Sequence, residues 1–74
     1  MREDEHFDFL KEVGQRVRII RKEKNLTMEN LAYETGMECR QIGRIERGEI
    51  NTSLLSMKRI AIALDVDLHL FFTS

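Results

Sequence analysis

The chain has no proline, one cysteine and only four glycines among its 74 residues. Without proline there is no imposed helix breaker, and no repeat or low-complexity linker divides the sequence. A single cysteine cannot close an internal disulfide, so nothing points to an oxidising compartment. No apolar run approaches the roughly 20 residues that a membrane-spanning helix needs. The opening stretch, Met1-Arg-Glu-Asp-Glu-His6, holds no apolar segment that could serve as a secretion signal; the expected location is the cytoplasm. There is no glycine loop of the phosphate-cradling kind and no nucleophile motif. His6 and His69 lack companions at metal-ligand spacing, and the carboxylates define no acid–base pair. The expectation is no enzyme, no cofactor, no metal and no small-molecule substrate.

What is present is a balanced composition, 42% hydrophobic and 34% charged, that of a globular domain rather than a disordered chain. At this length it is one domain, near the lower limit for a self-sufficient core. The net charge of −1 hides a segregation. Residues 1–12 hold two basic against five acidic groups, residues 13–59 ten against six, and residues 60–74 only Asp65 and Asp67. The positive excess is thus confined to the middle of the chain, the footprint of a surface that meets a polyanion. The expected organisation is an acidic extension of helix 1 over residues 1–12 and a single domain over residues 13–74.

Leu10, Val13, Val17 and Ile20 recur at helical spacing, with Phe7 as a candidate extension of the stripe. The spacing predicts helix 1 over Asp8 to Lys24, ending at Asn25. Thr27 is an N-cap candidate for helix 2, although Asn30 stands where a capping box wants glutamate. Helix 2 is expected to end near Thr35, and helix 3 to run from Glu38 to Arg47 and stop at Gly48. Asn51, Thr52 and Ser53 are cap candidates for helix 4, with Leu54, Met57, Ile60, Ala61 and Leu64 facing inward. Asp67 heads a short fifth helix with Leu68, Leu70, Phe71 and Phe72. No strand is expected: the fold class is all-α, a compact bundle of four helices plus a short fifth.

Residues 27–48 carry the steric demands of two short helices locked around a tight turn. Ala32 is small where the helices must cross closely. Gly36 can take the positive φ that ends a helix in a short turn. Ile42 and Ile45 share one face and can wedge between the helices. On a wheel with Arg40 at zero, Arg44 falls near about 40° and Arg47 near about 340°, while Ile42 and Ile45 fall near about 200° and 140°. One face of helix 3 is therefore apolar and the other carries three guanidinium groups. Gly43, on the basic side, lets a partner approach the backbone. A two-helix unit of this kind presents its second helix to the major groove of double-stranded DNA. Guanidinium can bridge guanine O6 and N7, and glutamine can pair with adenine. That makes Arg40, Arg44 and Gln41 candidate base readers, with Arg47 placed to reach a phosphate.

The runs Gly14-Gln-Arg-Val-Arg-Ile-Ile-Arg21, Leu31-Ala32, Gly36, Arg44-Ile-Glu-Arg-Gly48, Asn51-Thr-Ser-Leu54, Ile60-Ala61 and Ala63-Leu64 resemble the Cro and phage-repressor (XRE) type of helix-turn-helix proteins. The small controller proteins of restriction–modification systems are similar in size and in the run from Ile45 to Leu64. The resemblance covers residues 13–72 and implies a lambda-repressor-like, five-helix domain that binds two-fold operators as a homodimer. It places Cys39, Arg40, Gln41 and Arg44 at base-contacting positions of the recognition helix. It places Thr27, the start of helix 2 at Met28, Asn51 and Thr52 at phosphate contacts; Arg16 and Arg47 join them as basic candidates. Met28 replaces the family's usual glutamine, and Glu38 replaces its usual Ser or Thr cap. Arg21 and Glu46 occupy positions that pair in this family as a structural salt bridge.

Leu55 and Ile62 lie seven apart, off the inward stripe of helix 4. With Leu70, Phe71 and Phe72 they are candidates for an exposed apolar seam between two copies, unless Phe7 and Phe9 of an extended first helix fold over them. The alternative function is a protein-interaction module or antitoxin-like partner that keeps the same fold. Its motivation is the acidic first segment and the C-terminal aromatic cluster.

Overall fold

A computed structural model describes residues 2–72 of the protein. Met1, Thr73 and Ser74, at the ends of the two expected segments, lie outside the described residues. Four α-helices follow in order, α1 (Glu3–Glu23), α2 (Met28–Thr35), α3 (Cys39–Glu46) and α4 (Leu54–Leu64), then one 3₁₀ turn, Leu68–Phe71. No strand occurs among the described residues, as expected for an all-α fold.

Helix α1 begins at Glu3, five residues before the expected Asp8. Apolar periodicity does not reach that far, but Glu3, Asp4 and Glu5 fill the first turn while Arg21 and Lys22 fill the last. Both placements complement the helix dipole, and a helix already nucleated downstream extends at little further cost. Val13 and Val17 are buried and Leu10 and Ile20 half-buried. Phe7 does not continue the stripe inward and stands exposed. Gly14 is where α3 docks end-on: a Cβ at this position would overlap the Ile45 carbonyl oxygen and come within 2.6 Å of that of Glu46.

Asn30 completes a capping box after all. Thr27 Oγ1 accepts from the Asn30 N–H at 3.0 Å, and Asn30 Oδ1 accepts from the Thr27 N–H at 3.0 Å. The shorter amide carbonyl does the work expected of glutamate. At the other end Gly36 takes φ 72°, and the Met37 N–H returns to the Ala32 carbonyl at 3.1 Å. The buried Thr35 hydroxyl donates to the Leu31 carbonyl at 2.8 Å and receives the Met37 N–H at 3.2 Å, so the interhelical turn leaves no unpartnered side-chain oxygen there.

The core gathers Val17, Leu31, Ile42, Ile60, Ala61, Leu64 and Phe71, all with no exposed surface. Ser53 caps α4, its Oγ accepting from the Ser56 N–H at 3.0 Å, so Asn51 and Thr52 precede the helix rather than open it. Met57, Ile60, Ala61 and Leu64 face inward as expected, but Leu54 is 68% exposed. It stands at the first helical position, on the rim of a hollow that it shares with Phe9, Leu10 and Phe72. Phe71 also departs from expectation, since it fills the core instead of joining a surface seam.

Candidate nucleic-acid interface

The buried Ile42 and Ile45 clamp α3 onto the domain. Because they lie on one side of the helix, Arg40, Arg44 and Arg47 are left on the solvent side, and all three are exposed. Arg40 and Arg44 make no hydrogen bond or ion pair among the described residues. Arg40, Gln41 and Arg44 converge with Glu38 and Ile50 on one open hollow of about 320 Å³. Gln41 is half-buried in its lining, whereas the half-buried Cys39 packs against the core and does not line the hollow. The structure thus brings three of the four candidate base readers together. It adds one neighbour that pattern reading missed, Ile50, which joins only because the chain doubles back after Gly48, and it places there the Glu38 carboxyl, which caps no N–H.

The rim candidates separate. Thr27 is exposed at the start of α2, where the Met28 and Glu29 N–H groups have no intrahelical acceptor. The Met28 side chain turns toward α3, its sulfur 3.6 Å from where a Cβ of residue 43 would lie. Asn51 is exposed and Thr52 half-buried just before α4, beside Phe9 and Leu10. Arg16 departs from its expected role. Its Nη1 donates to the Phe71 carbonyl at 3.2 Å, fastening the C-terminal turn to α1.

Arg47 is oriented by Glu49: Nε donates to Oε2 at 2.7 Å. That hydrogen bond holds the Glu49 carboxyl below the usual carboxylate range and raises the Arg47 guanidinium further. Behind α3, Arg21 Nε and Nη2 donate to the two oxygens of Glu46 at 2.6 and 3.0 Å. Arg21 Nη1 donates to the Leu26 carbonyl at 2.8 Å. Both side chains are buried, and the fork-to-fork geometry fixes α3 against α1 and the α1–α2 turn.

Of the seam candidates, Leu55 is 61% and Ile62 66% exposed, with Leu70 and Phe72 about two-fifths exposed. Phe9 folds over one of these candidates, Phe72, their rings stacked with centroids 6.4 Å apart. It shares a hollow with Leu54 and Met57 of α4, while Leu55 and Ile62 stay exposed. No group of metal-ligating side chains occurs among the described residues, and none of their helices is long and apolar enough to cross a membrane.

Two short helices around a left-handed glycine, the second offering a cationic face, define the helix-turn-helix class of domain. The chain belongs to the helix-turn-helix family of XRE type, a family of transcriptional regulators, whose model matches residues 17–71. It is 44% identical over 54 residues to control protein C.BamHI of Bacillus amyloliquefaciens, covering 72% of this chain and 67% of that protein. It is 39% identical over 54 residues to the immunity repressor of Bacillus phage phi105, covering 73% of this chain. The chain spans 38% of that repressor's length, and 52% of the Bacillus subtilis regulator SinR, to which it is 33% identical over 58 residues, 77% of this chain. Among solved structures, the controller protein C.AhdI from Aeromonas hydrophila matches with a TM-score of 0.83 and 38% identity, covering 85% of this chain and 96% of that one. The controller C.Esp1396I, solved as a tetramer with its natural 35-base-pair operator, matches at 0.79 and 34%, covering 86% and 84%.

Proposed function

We propose that this chain regulates transcription as a homodimer that reads a short pseudo-palindromic operator, with α3 of each copy in the major groove. The observation that carries this reading is the division of α3 itself. Ile42 and Ile45 are sealed in the core while Arg40 and Arg44, without partners among the described residues, rim an open hollow with Gln41. Exposed guanidiniums on a rigid helix are suited to the O6 and N7 edge of guanine, and Gln41 to adenine; Cys39 adds a small apolar contact at the helix start. Arg47, Thr27, the N–H groups at Met28, and Asn51 with Thr52 supply phosphate contacts that set register rather than sequence. The operator complex of C.Esp1396I supports duplex DNA as the ligand.

Dimerisation is supported by Leu55 and Ile62, which project from α4 with nothing over them, and by Leu70, which lines one concave patch with Ile62. Two copies joined there carry their recognition helices to half-sites roughly one DNA turn, about 34 Å, apart.

Selection from a random duplex pool tests the reading. One enriched two-fold sequence is expected, and an unenriched pool overturns it. On the selected duplex, Arg40→Ala and Arg44→Ala each lower affinity by about 1–3 kcal/mol and relax preference at one position. Equal loss on unrelated duplex reassigns that arginine to a phosphate.

A second reading, a protein-interaction module, is favoured by the first turns of α1, where Phe7 and Phe9 stand exposed among Glu3, Asp4, Glu5 and Asp8. Co-purification of one stoichiometric protein partner, together with absence of salt-dependent DNA binding, distinguishes it.

A further inference from the structure

Ile50 follows the left-handed Gly48 that closes α3. The Gly48 N–H donates to the Ile45 carbonyl at 3.0 Å and the Glu49 N–H to the Arg44 carbonyl at 2.9 Å, the paired bonds of a Schellman ending. A Cβ at residue 48 would stand 2.6 Å from the Lys11 backbone, so the turn sits tight against α1. It reverses the chain and returns Ile50 to the side of α3 that carries Arg40 and Arg44.

Ile50 is half-buried. It packs against the core and also lines the hollow of about 320 Å³ beside Glu38, Arg40, Gln41 and Arg44. Among the described residues that line this hollow, Ile50 alone is apolar. The other four carry donors and acceptors that suit the polar atoms of base edges. The major groove offers one apolar feature to match the fifth, the methyl group at C5 of thymine. A 5-methylcytosine carries the same methyl on the same ring carbon. A β-branched side chain braced by the core has little rotamer freedom left to lose on contact. It therefore suits a small, rigid methyl group.

We infer that Ile50 is a specificity-determining residue that takes the C5-methyl group of one pyrimidine in each half-site, alongside the edges read by Arg40, Gln41 and Arg44. The inference rests on the DNA-binding reading above and extends it, since there every base reader belongs to α3. Cys39, the other apolar candidate, packs against the core and does not line the hollow. Burying one methyl against an alkyl side chain corresponds to a factor of about four in affinity.

The test measures binding of the full chain to the selected duplex, altered at one position of one half-site at a time. In one arm each thymine is replaced by uracil, which lacks only the methyl. In the other each cytosine is replaced by 5-methylcytosine, which adds it. With thymine as the source, uracil at one position weakens the wild type about fourfold, while Ile50→Ala binds both duplexes alike. With cytosine as the source, the uracil arm is flat. One 5-methylcytosine then strengthens the wild type by a similar factor and leaves Ile50→Ala unmoved. Ile50→Val keeps most of the response. Each figure is a ratio between two duplexes on one protein, so any unfolded fraction cancels. Should Ile50→Ala fail to fold, Ile50→Thr keeps the branch, sets a hydroxyl in the contact and carries the same expectation. Equal responses of wild type and variant at every position, flat or not, overturn the subsite alone. A random pool that yields no enriched duplex overturns the functional reading and the subsite together.

Discussion

Arg21 and Glu46 are 25 residues apart in sequence and joined by two hydrogen bonds, Nε to Oε2 at 2.6 Å and Nη2 to Oε1 at 3.0 Å. The pair determines where the recognition helix ends, because Glu46 is the last residue of α3 and Arg21 lies in the last turn of α1. Taking both charges out of water is costly, so the pair adds little net stability over an apolar pair. What it imposes is orientation.

Removing one partner is therefore harmful. Glu46→Ala leaves a buried guanidinium with only the Leu26 carbonyl, at a cost of about 3 kcal/mol. Arg21→Met with Glu46→Leu together restores much of that loss. Urea denaturation of the three chains checks the order. The Arg21 pKa is raised by its hydrogen bond to Glu46. Its contribution is present below the unfolded value and lost only as pH rises through the still higher folded one. No change in stability near neutrality is expected from this arginine.

Gly14→Ala drives a Cβ into the carbonyls of Ile45 and Glu46. These are backbone atoms at the end of α3 and cannot rotate away. The strain outweighs the better helix propensity of alanine, giving a net loss of about 1–3 kcal/mol by thermal unfolding. DNA affinity falls with it, because the α3 terminus must shift.

Thr27→Ala removes the oxygen that accepts the Asn30 N–H and costs about 1 kcal/mol of stability. Asn30→Ala removes the reciprocal bond, whereas Asn30→Glu restores the usual box and leaves the melting temperature near that of the wild type. A melting temperature indifferent to both alanine substitutions would show that the box contributes nothing.

The hydrogen bond from Arg47 keeps the Glu49 carboxyl ionised below the usual carboxylate range. A lowered folded pKa contributes stability that is present above the unfolded value and lost as pH falls through the folded one. The tie should thus persist through neutral pH and open only in acid. In an NMR titration, Arg47→Gln moves the Glu49 transition up toward the ordinary value.

Ile62→Lys places a charge at the centre of the exposed α4 patch. The homodimer proposed above should dissociate to monomers in sedimentation, with weakened binding to a full operator and little change on an isolated half-site. Unchanged sedimentation would move the seam elsewhere on the surface.

The sequence by itself determined the helices and their inner faces, since side-chain periodicity is a local property. Val13 and Val17, Ile42 and Ile45, and Met57, Ile60, Ala61 and Leu64 were all legible from spacing and are buried. The guanidinium face of α3 follows from the same spacing, because fixing the isoleucines inward leaves Arg40 and Arg44 no other side. Only the tertiary structure decided what depends on which element arrives opposite. Two adjacent phenylalanines part company, Phe71 filling the core and Phe72 stacking on Phe9, because the register of the last turn against α1 and α4 admits one ring. Arg16 and Arg18 look alike on paper, yet one is held by the Phe71 carbonyl and the other faces a cleft beside Met28 and Arg47. The physical reason is common to both cases. A helix's own pattern states which side is inward, but the partner of each border residue is set by how neighbouring helices close around it.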